Sequence, residues 1–530
     1  MTPHDLFAHD VFAQHQWRRI MERFLTRHKD RIVGTITGFD RILFRGTLRC
    51  LSHPKGMQVF VNSRRVLLKD YGQFVLSLSD EISEHAKHFA AELGRPYQYL
   101  RSSALSKERL AREIMTRDQI KQGLICVFAA VEPCRTISVR PNRASKKLEL
   151  LAQSRQCKHL YFYFVDQEFG LMHIRLQTWL PFNIQVCLNG RRWLGNKLQA
   201  AGIPFVQHDN TFTEIADLQR AQQFMDQLMQ RDFARYLNAL TKVISPLTRH
   251  PEWKLPNGYY WSFQEVETAT DIMFRDAASL RRLYPSLLKH AMLVCNSTDV
   301  LRFLGRRFNS TFKGEVSSNL RHRPEGLRVK HWVEENSIKM YDKALSVLRI
   351  ETTINNPHRF KALRNSTRYG QPCRRWLRLR KGVIAIRRLV QIARAANERY
   401  LQALAVVGEP KPSHRILDPV SQPVQQQGRR FRPLQPISPR ESRLFQAICQ
   451  GRFILNGFRT KELCQLLPPP AELDLHRYAR RIGRQLQLLR AHGLIWKVAK
   501  THYYRITNKG HEVMATAINF RAADMALLAA

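Results

Sequence analysis

The chain is short of acid, of paired cysteines and of long apolar runs, and each shortage excludes something. Asp and Glu number 43 against 86 Lys and Arg, which leaves a formal charge of +43 over 530 residues. An excess that large costs self-repulsion in the folded state unless a polyanion meets it. The nine cysteines (Cys50, Cys126, Cys134, Cys157, Cys187, Cys295, Cys373, Cys449, Cys464) are scattered and odd in number, with no C-x-x-C pair. Neither a zinc site nor a disulfide framework is signalled, and the expectation is a reduced, cytoplasmic protein. There is no run of 18 apolar residues, no signal peptide and no polybasic tail beside an apolar anchor, so a membrane surface is not the expected polyanion. No G-x-x-x-x-G-K-[ST] loop occurs, which argues against ATP-driven work. No His-hydrophobic-His motif and no internal repeat are found.

What remains is a nucleic acid, bound with strong salt dependence. Hydrophobic residues at 44% and aromatics at 10% are enough to bury ordinary cores. At roughly 150 residues per domain the length implies about three or four domains. The expected class is α+β and multidomain: an N-terminal helix over 1–30, an α/β domain with a mixed sheet over 31–245, a β-rich basic domain over 257–407, a linker over 408–436 and a winged helix over 437–530.

In the first of these, "RIVGTITGFDRILFRGTLRC" alternates like two strands turning near Gly38–Asp40. Helices are expected near 63–93 and 105–120. "GLICVFAAVEPC" and "HLYFYFVDQEFGLMHIRLQ" are β-branched and aromatic, the latter a hairpin turning through "DQEFG". A short helix ends at Gly202, and a longer one is expected over 213–244. The segment 359–394 holds 12 Lys or Arg and no acid. Its Arg374, Arg375, Arg378, Arg380 and Lys381 are candidate phosphate contacts. The linker is rich in Pro, Gln and Arg.

The C-terminal pattern has Ser438 as an N-cap, Pro439 at the first helical position and Glu441 completing a capping box. Two further helices follow, the third ending at Gly493. "IWKVAKTHYYRITNKG" then reads as a two-stranded wing before a last helix. This order is similar to winged-helix DNA-binding domains of the MarR type, over about 437–525. The resemblance implies that the third helix enters the major groove while the wing meets the backbone. Arg477, Arg480, Arg481 and Arg484 lie on one side of that helix, opposite Leu475, Ile482, Leu486 and Leu489. Lys500 and His502 at the wing tip are candidate phosphate contacts. A homodimer through this region is expected.

In "NSIKMYDKALSVLRIETTINNP", alternation places Ile338, Met340, Leu348 and Ile350 on one face of a strand pair. Lys339, Tyr341, Arg349, Glu351 and Thr353 share the other, with Lys343 where the turn begins. Two readings stand open. One is phosphodiester chemistry, with Tyr341 attacking phosphorus, Lys339, Lys343 and Arg349 holding phosphate oxygens, and Glu351 binding a metal or handling a proton. The other is an ordinary cross-strand Glu–Arg pair beside a half-exposed Tyr. The Y-D-K…L-R-I-E block resembles a strand pair in plasmid and phage rolling-circle replication initiators, which implies strand nicking. The whole chain also resembles a group of uncharacterised bacterial proteins sharing "FDRILFRGTLR", "EFGLMH", "SIKMYDK" and "LRIETTINNP", which implies no established activity.

Asp40, Glu132 and Asp166, with Glu168 and Asp209 as further members, are candidates for Mg²⁺ or Mn²⁺ ligation from strand ends. The competing reading is turn formation. Glu265, Glu267, Asp271 and Asp276 form an acidic patch, open as a metal site or a dock for the basic segment. The expected function is DNA binding of mobile-element or replication-initiator type with phosphodiester cleavage. The alternative is a non-enzymatic transcription regulator or the protein half of a ribonucleoprotein.

Overall fold

Gly38 decides the course of the first strand. Instead of a hairpin turning at Gly38–Asp40, Ile32–Thr47 is one continuous strand of 16 residues. A Cβ on Gly38 would stand 2.2 Å from the Met225 Cε, so the glycine lets the helix Leu218–Leu228 close on the strand rather than turning the chain. Asp40 is therefore a buried strand residue, held by Asn210 at 2.9 and 3.1 Å.

The computed structural model describes residues 23–248 except 102–104, and 258–522 except 307–311, 313, 324–325, 369–370, 406, 408–412, 427, 452, 454–456, 468–473 and 500. Its strands are β1 (Ile32–Thr47), β2 (Tyr97–Tyr99), β3 (Gly123–Asn142), β4 (Lys147–Asp166), β5 (Gly170–Gln177), β6 (Ile184–Asn189), β7 (Phe205–His208) and β8 (Thr211–Ile215). They continue with β9 (Tyr260–Phe274), β10 (Val316–Arg323), β11 (Gly326–Val333), β12 (Asn336–Lys343), β13 (Val347–Ile354), β14 (Lys361–Arg368) and β15 (Gln371–Arg378). The last are β16 (Val424–Gln426), β17 (Arg429–Phe431), β18 (Ile495–Lys497) and β19 (Tyr504–Ile506). The chain is mixed α+β and packs as two compact units with interleaved segments, divided inside β1, β9 and β13 rather than at the boundaries read from composition.

One unit comprises Thr35–Asp271 and Thr353–Arg394. Its sheet runs β9-β1-β6-β5-β4-β3-β2, mixed because β2 pairs parallel to β3 while the ladders from β3 to β6 and on to β1 are antiparallel. Alternation works as expected on β5 and β6. Met172, Ile174, Leu176, Ile184, Val186 and Leu188 are buried, and His173, Arg175 and Gln185 fall on the opposite face. The expected helix over 213–244 is instead β8 followed by two helices, Leu218–Leu228 and Phe233–Ile244. Asp217 and Asp232 start them by accepting from the Arg220 and Arg235 N–H groups. The basic segment contains a free-standing antiparallel hairpin, β14–β15.

The other unit comprises Met1–Gly34, Ile272–Thr352 and Ala395–Ala530. Strands β10-β11-β12-β13 lie side by side. Val329, Val333, Ile338, Met340, Leu348 and Ile350 face a core completed by the helices Ala277–Leu293 and Ser297–Phe303 and by Tyr400 and Leu404. His331 belongs to this underside, between Ser318 Oγ at 2.7 Å and the Tyr400 hydroxyl at 3.0 Å. Burial pushes its imidazole down to about 4, so it is neutral.

A second core gathers residues from Leu417 to Ala517. It holds the helices Pro439–Ile448, Thr460–Leu466 and Leu475–Ala491, the hairpin β18–β19 and the helix Asn508–Ala522, in the expected order. Ser438 caps the first helix by accepting from Glu441 N–H. Glu441 does not complete a capping box. Its carboxylate accepts from Gln435 N–H at 2.7 Å and from Arg432 at 2.8 Å, reaching past the N-cap residue.

Candidate nucleic-acid interface

The face of β10–β13 opposite the apolar core carries the residues that alternation singled out. Register places Arg328 beside Tyr341, Lys330 beside Lys339 and Trp332 beside Ser337, while β10 adds Arg321 and Asn319. Lys330 Nζ lies 4.6 Å from the centre of the Trp332 ring, a cation–π pairing on the open side of the sheet. Arg321 is exposed, and Arg328, Lys330, Trp332, Lys339, Tyr341 and Lys343 are half-buried. Cations and aromatics thus interleave on one surface, a mixture suited to gripping a phosphate backbone and stacking bases. Arg328, Lys330 and Trp332 join this face through the pairing of β11 with β12, which no local pattern in the sequence announces.

Glu351 is the centre of this group. It is only 1% exposed, accepts from the Tyr341 hydroxyl at 2.7 Å and pairs with Lys339 Nζ at 2.5 Å. Burial pushes its carboxyl up, but Lys339 and then Arg349 outweigh it, and the result is held down to about 2. Glu351 is therefore an anion, and Tyr341 is anchored to it. Arg349, expected as a phosphate holder, has no exposed surface, because β13 is buried along its whole length. Its charge acts on Glu351 instead. Lys343 stands at the turn end of β12, two residues beyond Tyr341 and on its face. Asp342 takes the opposite face, where burial pushes its carboxyl up to about 6.

The hairpin β14–β15 sets like charges against each other. Arg364 stands directly opposite Arg375, and Lys361 opposite Arg378. Such pairs destabilise a two-stranded ribbon that has no anion beside it. On the Lys361 face, Leu363 is paired with Trp376, and Arg374 and Arg378 flank Trp376 two residues away on either side. Trp376 is 62% exposed. Alternating strand faces, invisible in a count of 12 charges, reveal this indole between two guanidiniums. Trp376→Ala is expected to weaken binding of a single-stranded oligonucleotide by roughly tenfold, since stacking on an aromatic contributes ~1–3 kcal/mol per base. Equal fluorescence-anisotropy isotherms for the two proteins would remove Trp376 from the interface. Arg380 and Lys381 lie beyond the hairpin, both exposed.

On the helix Leu475–Ala491, Arg477, Arg480 and Arg484 are exposed and Arg481 is half-buried, while Tyr478, Ile482, Leu486 and Leu489 enter the core. None of the four arginines has an acidic partner among the described residues. His502 is exposed in the loop joining β18 to β19, and Lys500 lies outside the described residues.

The candidate metal ligands do not come together. Asp40 is engaged by Asn210. Glu132 accepts from Tyr161 at 2.6 Å and Arg175 at 2.7 Å and pairs with Lys107 at 3.0 Å, and despite burial these hold its carboxyl below the usual range. Asp166 closes the β4–β5 turn by accepting from Glu168 and Phe169 N–H, both at 2.9 Å. Glu168 is paired with Arg231, and Asp209 sits at the β7–β8 turn with a positive φ of 54°. Among the described residues no group of three His, Cys, Asp or Glu is placed to hold a metal ion.

The acidic patch is also dispersed. Glu265 and Glu267 hold Arg41 at 2.6 and 3.0 Å, Asp271 meets the fully buried Arg191 at 3.1 Å, and Asp276 caps the helix Ala277–Leu293. No helix among the described residues is long and apolar enough to cross a membrane. Compared with protein-family models, curated proteins and solved structures, the chain matches none.

Proposed function

We propose that this chain is a nucleic-acid-binding protein, with DNA the favoured ligand, of the mobile-element or replication-initiator type, carrying a winged-helix domain over residues 437–530. The observation that carries the reading is the placing of cations that have no acidic partner among the described residues: opposed across β14–β15 around an exposed tryptophan, and aligned along one side of Leu475–Ala491. A folded chain keeps such arrangements at a cost in repulsion, and a phosphate backbone relieves it.

Tyr341 is the residue we assign to the chemistry. Its phenol oxygen would attack phosphorus, form a phosphotyrosine bond and release the strand's 3′-hydroxyl, which takes up the proton. Glu351 holds that proton's hydrogen bond beforehand, and Lys339 supplies positive charge beside it. The described residues do not fit a resident Mg²⁺ or Mn²⁺, because both Glu351 oxygens are already engaged and the other carboxylates are dispersed. No step is routed through a metal.

The same engagement favours a second reading, a non-enzymatic binder: a transcription regulator or the protein half of a ribonucleoprotein with a structured RNA. In it Tyr341, Glu351 and Lys339 only brace the sheet. Incubation with labelled single-stranded DNA, with and without Mg²⁺ or Mn²⁺, separates the two. The expected result is a covalent adduct that Tyr341→Phe abolishes. Binding with no adduct, or an adduct that survives Tyr341→Phe, removes the nicking role. Failure to bind DNA or RNA even at low salt removes both readings.

A further inference from the structure

The polar face of β1, β3, β4, β5 and β6 holds a second group of cations around a hollow. Arg45 on β1 is in register with Gln185 on β6, which is in register with Arg175 on β5. Gln185 passes a hydrogen bond to Gln264 at 2.6 Å, and Asn183 donates to Gln177 at 3.2 Å. Arg135 closes the group from β3. Together they line a cavity of about 190 Å³ that has no carboxylate in its wall.

Three features show that this wall is incomplete as it stands. Arg175 is fixed by Gln185 at 3.0 Å and Glu132 at 2.7 Å, yet its buried Nε has no hydrogen-bond partner among the described residues. Asn183 spends its amide N–H on Gln177, and its buried carbonyl oxygen has no partner among them either. Such groups cost free energy unless something pairs with them. Arg45 and Arg135 lie close enough to depress the Arg45 guanidinium, after burial, by mutual repulsion, and neither has an acidic partner among the described residues. An anion held between them relieves that repulsion and meets the donors.

We propose that this cavity binds a phosphate group carried on a nucleotide. Arg45 and Arg135 take the phosphate oxygens in forked contacts. Arg175 Nε and the amides of Asn183, Gln185 and Gln264 offer donors and acceptors to the sugar or base. His159, at the same wall, is kept neutral by burial. Its Nδ1 donates to the Cys157 carbonyl at 3.1 Å, which leaves Nε2 as an acceptor for a ribose hydroxyl or a base amino group. The phosphate can come from a free mononucleotide or from a nucleotide within a strand, and the site is independent of the interface described above.

Calorimetric titration of the full chain with each 5′-mononucleotide, with inorganic phosphate and with a short single-stranded oligonucleotide tests the assignment. The control is Lys121→Gln/Arg143→Gln, which removes two exposed charges that belong neither to the cavity nor to the hairpin. For Arg45→Gln/Arg135→Gln the expected result is a loss of about tenfold or more in mononucleotide affinity, which the control keeps. The same loss seen only with the oligonucleotide assigns the phosphate to a strand. Arg135 is exposed, so Arg135→Gln alone folds normally and is expected to give a smaller loss of the same kind. Equal losses in the cavity and control variants, or no loss in either cavity variant, overturn the site. Loss of duplex binding in variants of Leu475–Ala491 leaves it untouched.

Discussion

Glu351→Gln lowers the stability of the unit that contains Ile272–Thr352 by about 3–5 kcal/mol at neutral pH, the loss expected when one partner of a buried ion pair is removed. Arg349 has no exposed surface and Lys339 lies 2.5 Å from the carboxylate. Glutamine keeps the shape and can still accept from Tyr341, so the deficit isolates charge from packing. The acid response has a definite sign. The folded carboxyl is held at about 2, below an ordinary value of 4.5. Its contribution is therefore fully present above about pH 4.5 and is lost as pH falls toward 2. Urea unfolding at pH 7 and pH 3.5 checks both claims. Wild type loses stability across this window, and Glu351→Gln loses much less. Adding Lys339→Met recovers part of the deficit by removing one stranded cation. A Glu351→Gln protein as stable as wild type at pH 7 would show that the carboxylate is not what holds Lys339 and Arg349.

Local periodicity made some of this visible and hid the rest. The faces of β12 and β13 follow from alternation alone, and the structure brings Lys339, Tyr341 and Glu351 together as that pattern requires. Burial does not follow from alternation. β13 is buried at every position, its polar side included, so Arg349 is a buried counter-charge rather than an exposed grip. Glycine misled in the opposite sense. Gly38 read as a turn because the residue permits one, whereas in the structure it continues the strand with Met225 packed against it. The caps at Asp217 and Asp232 were legible in principle, and each splits what looked like one long helix. The cavity between Arg45 and Arg135 was not, since residues so far apart in the chain meet only through sheet register. Paired carboxylates failed for the same reason: Asp40 and Glu132 lie inside β1 and β3, only Asp166 ends a strand, and each is engaged by a different partner.

Replacing Arg477, Arg480, Arg481 and Arg484 together by glutamine is expected to weaken duplex DNA binding by about three orders of magnitude near 0.15 M salt. That figure follows from counterion release at ~0.9 ions per neutralised phosphate. Four lost contacts flatten the slope of log affinity against log salt by about 3.6, and that change is the more secure readout because it counts contacts directly. Three of these side chains are exposed, and the apolar side of the helix is carried by Ile482, Leu486 and Leu489, so the variant keeps its core. A matched variant of the hairpin, Arg364, Arg374, Arg375 and Arg378 to glutamine, removes the same charge from a ribbon where it is mutually repulsive. If net charge alone drew nucleic acid to the chain, both variants would lose duplex and single-strand affinity in equal measure. The placing of Trp376 among the hairpin cations predicts a division instead. The helix variant fails on duplex DNA and retains single strands, while the hairpin variant does the reverse and melts higher than wild type, because relieving opposed charges stabilises the ribbon. A hairpin variant that melts lower, with unchanged single-strand affinity, would mean that those arginines serve the fold and not the ligand.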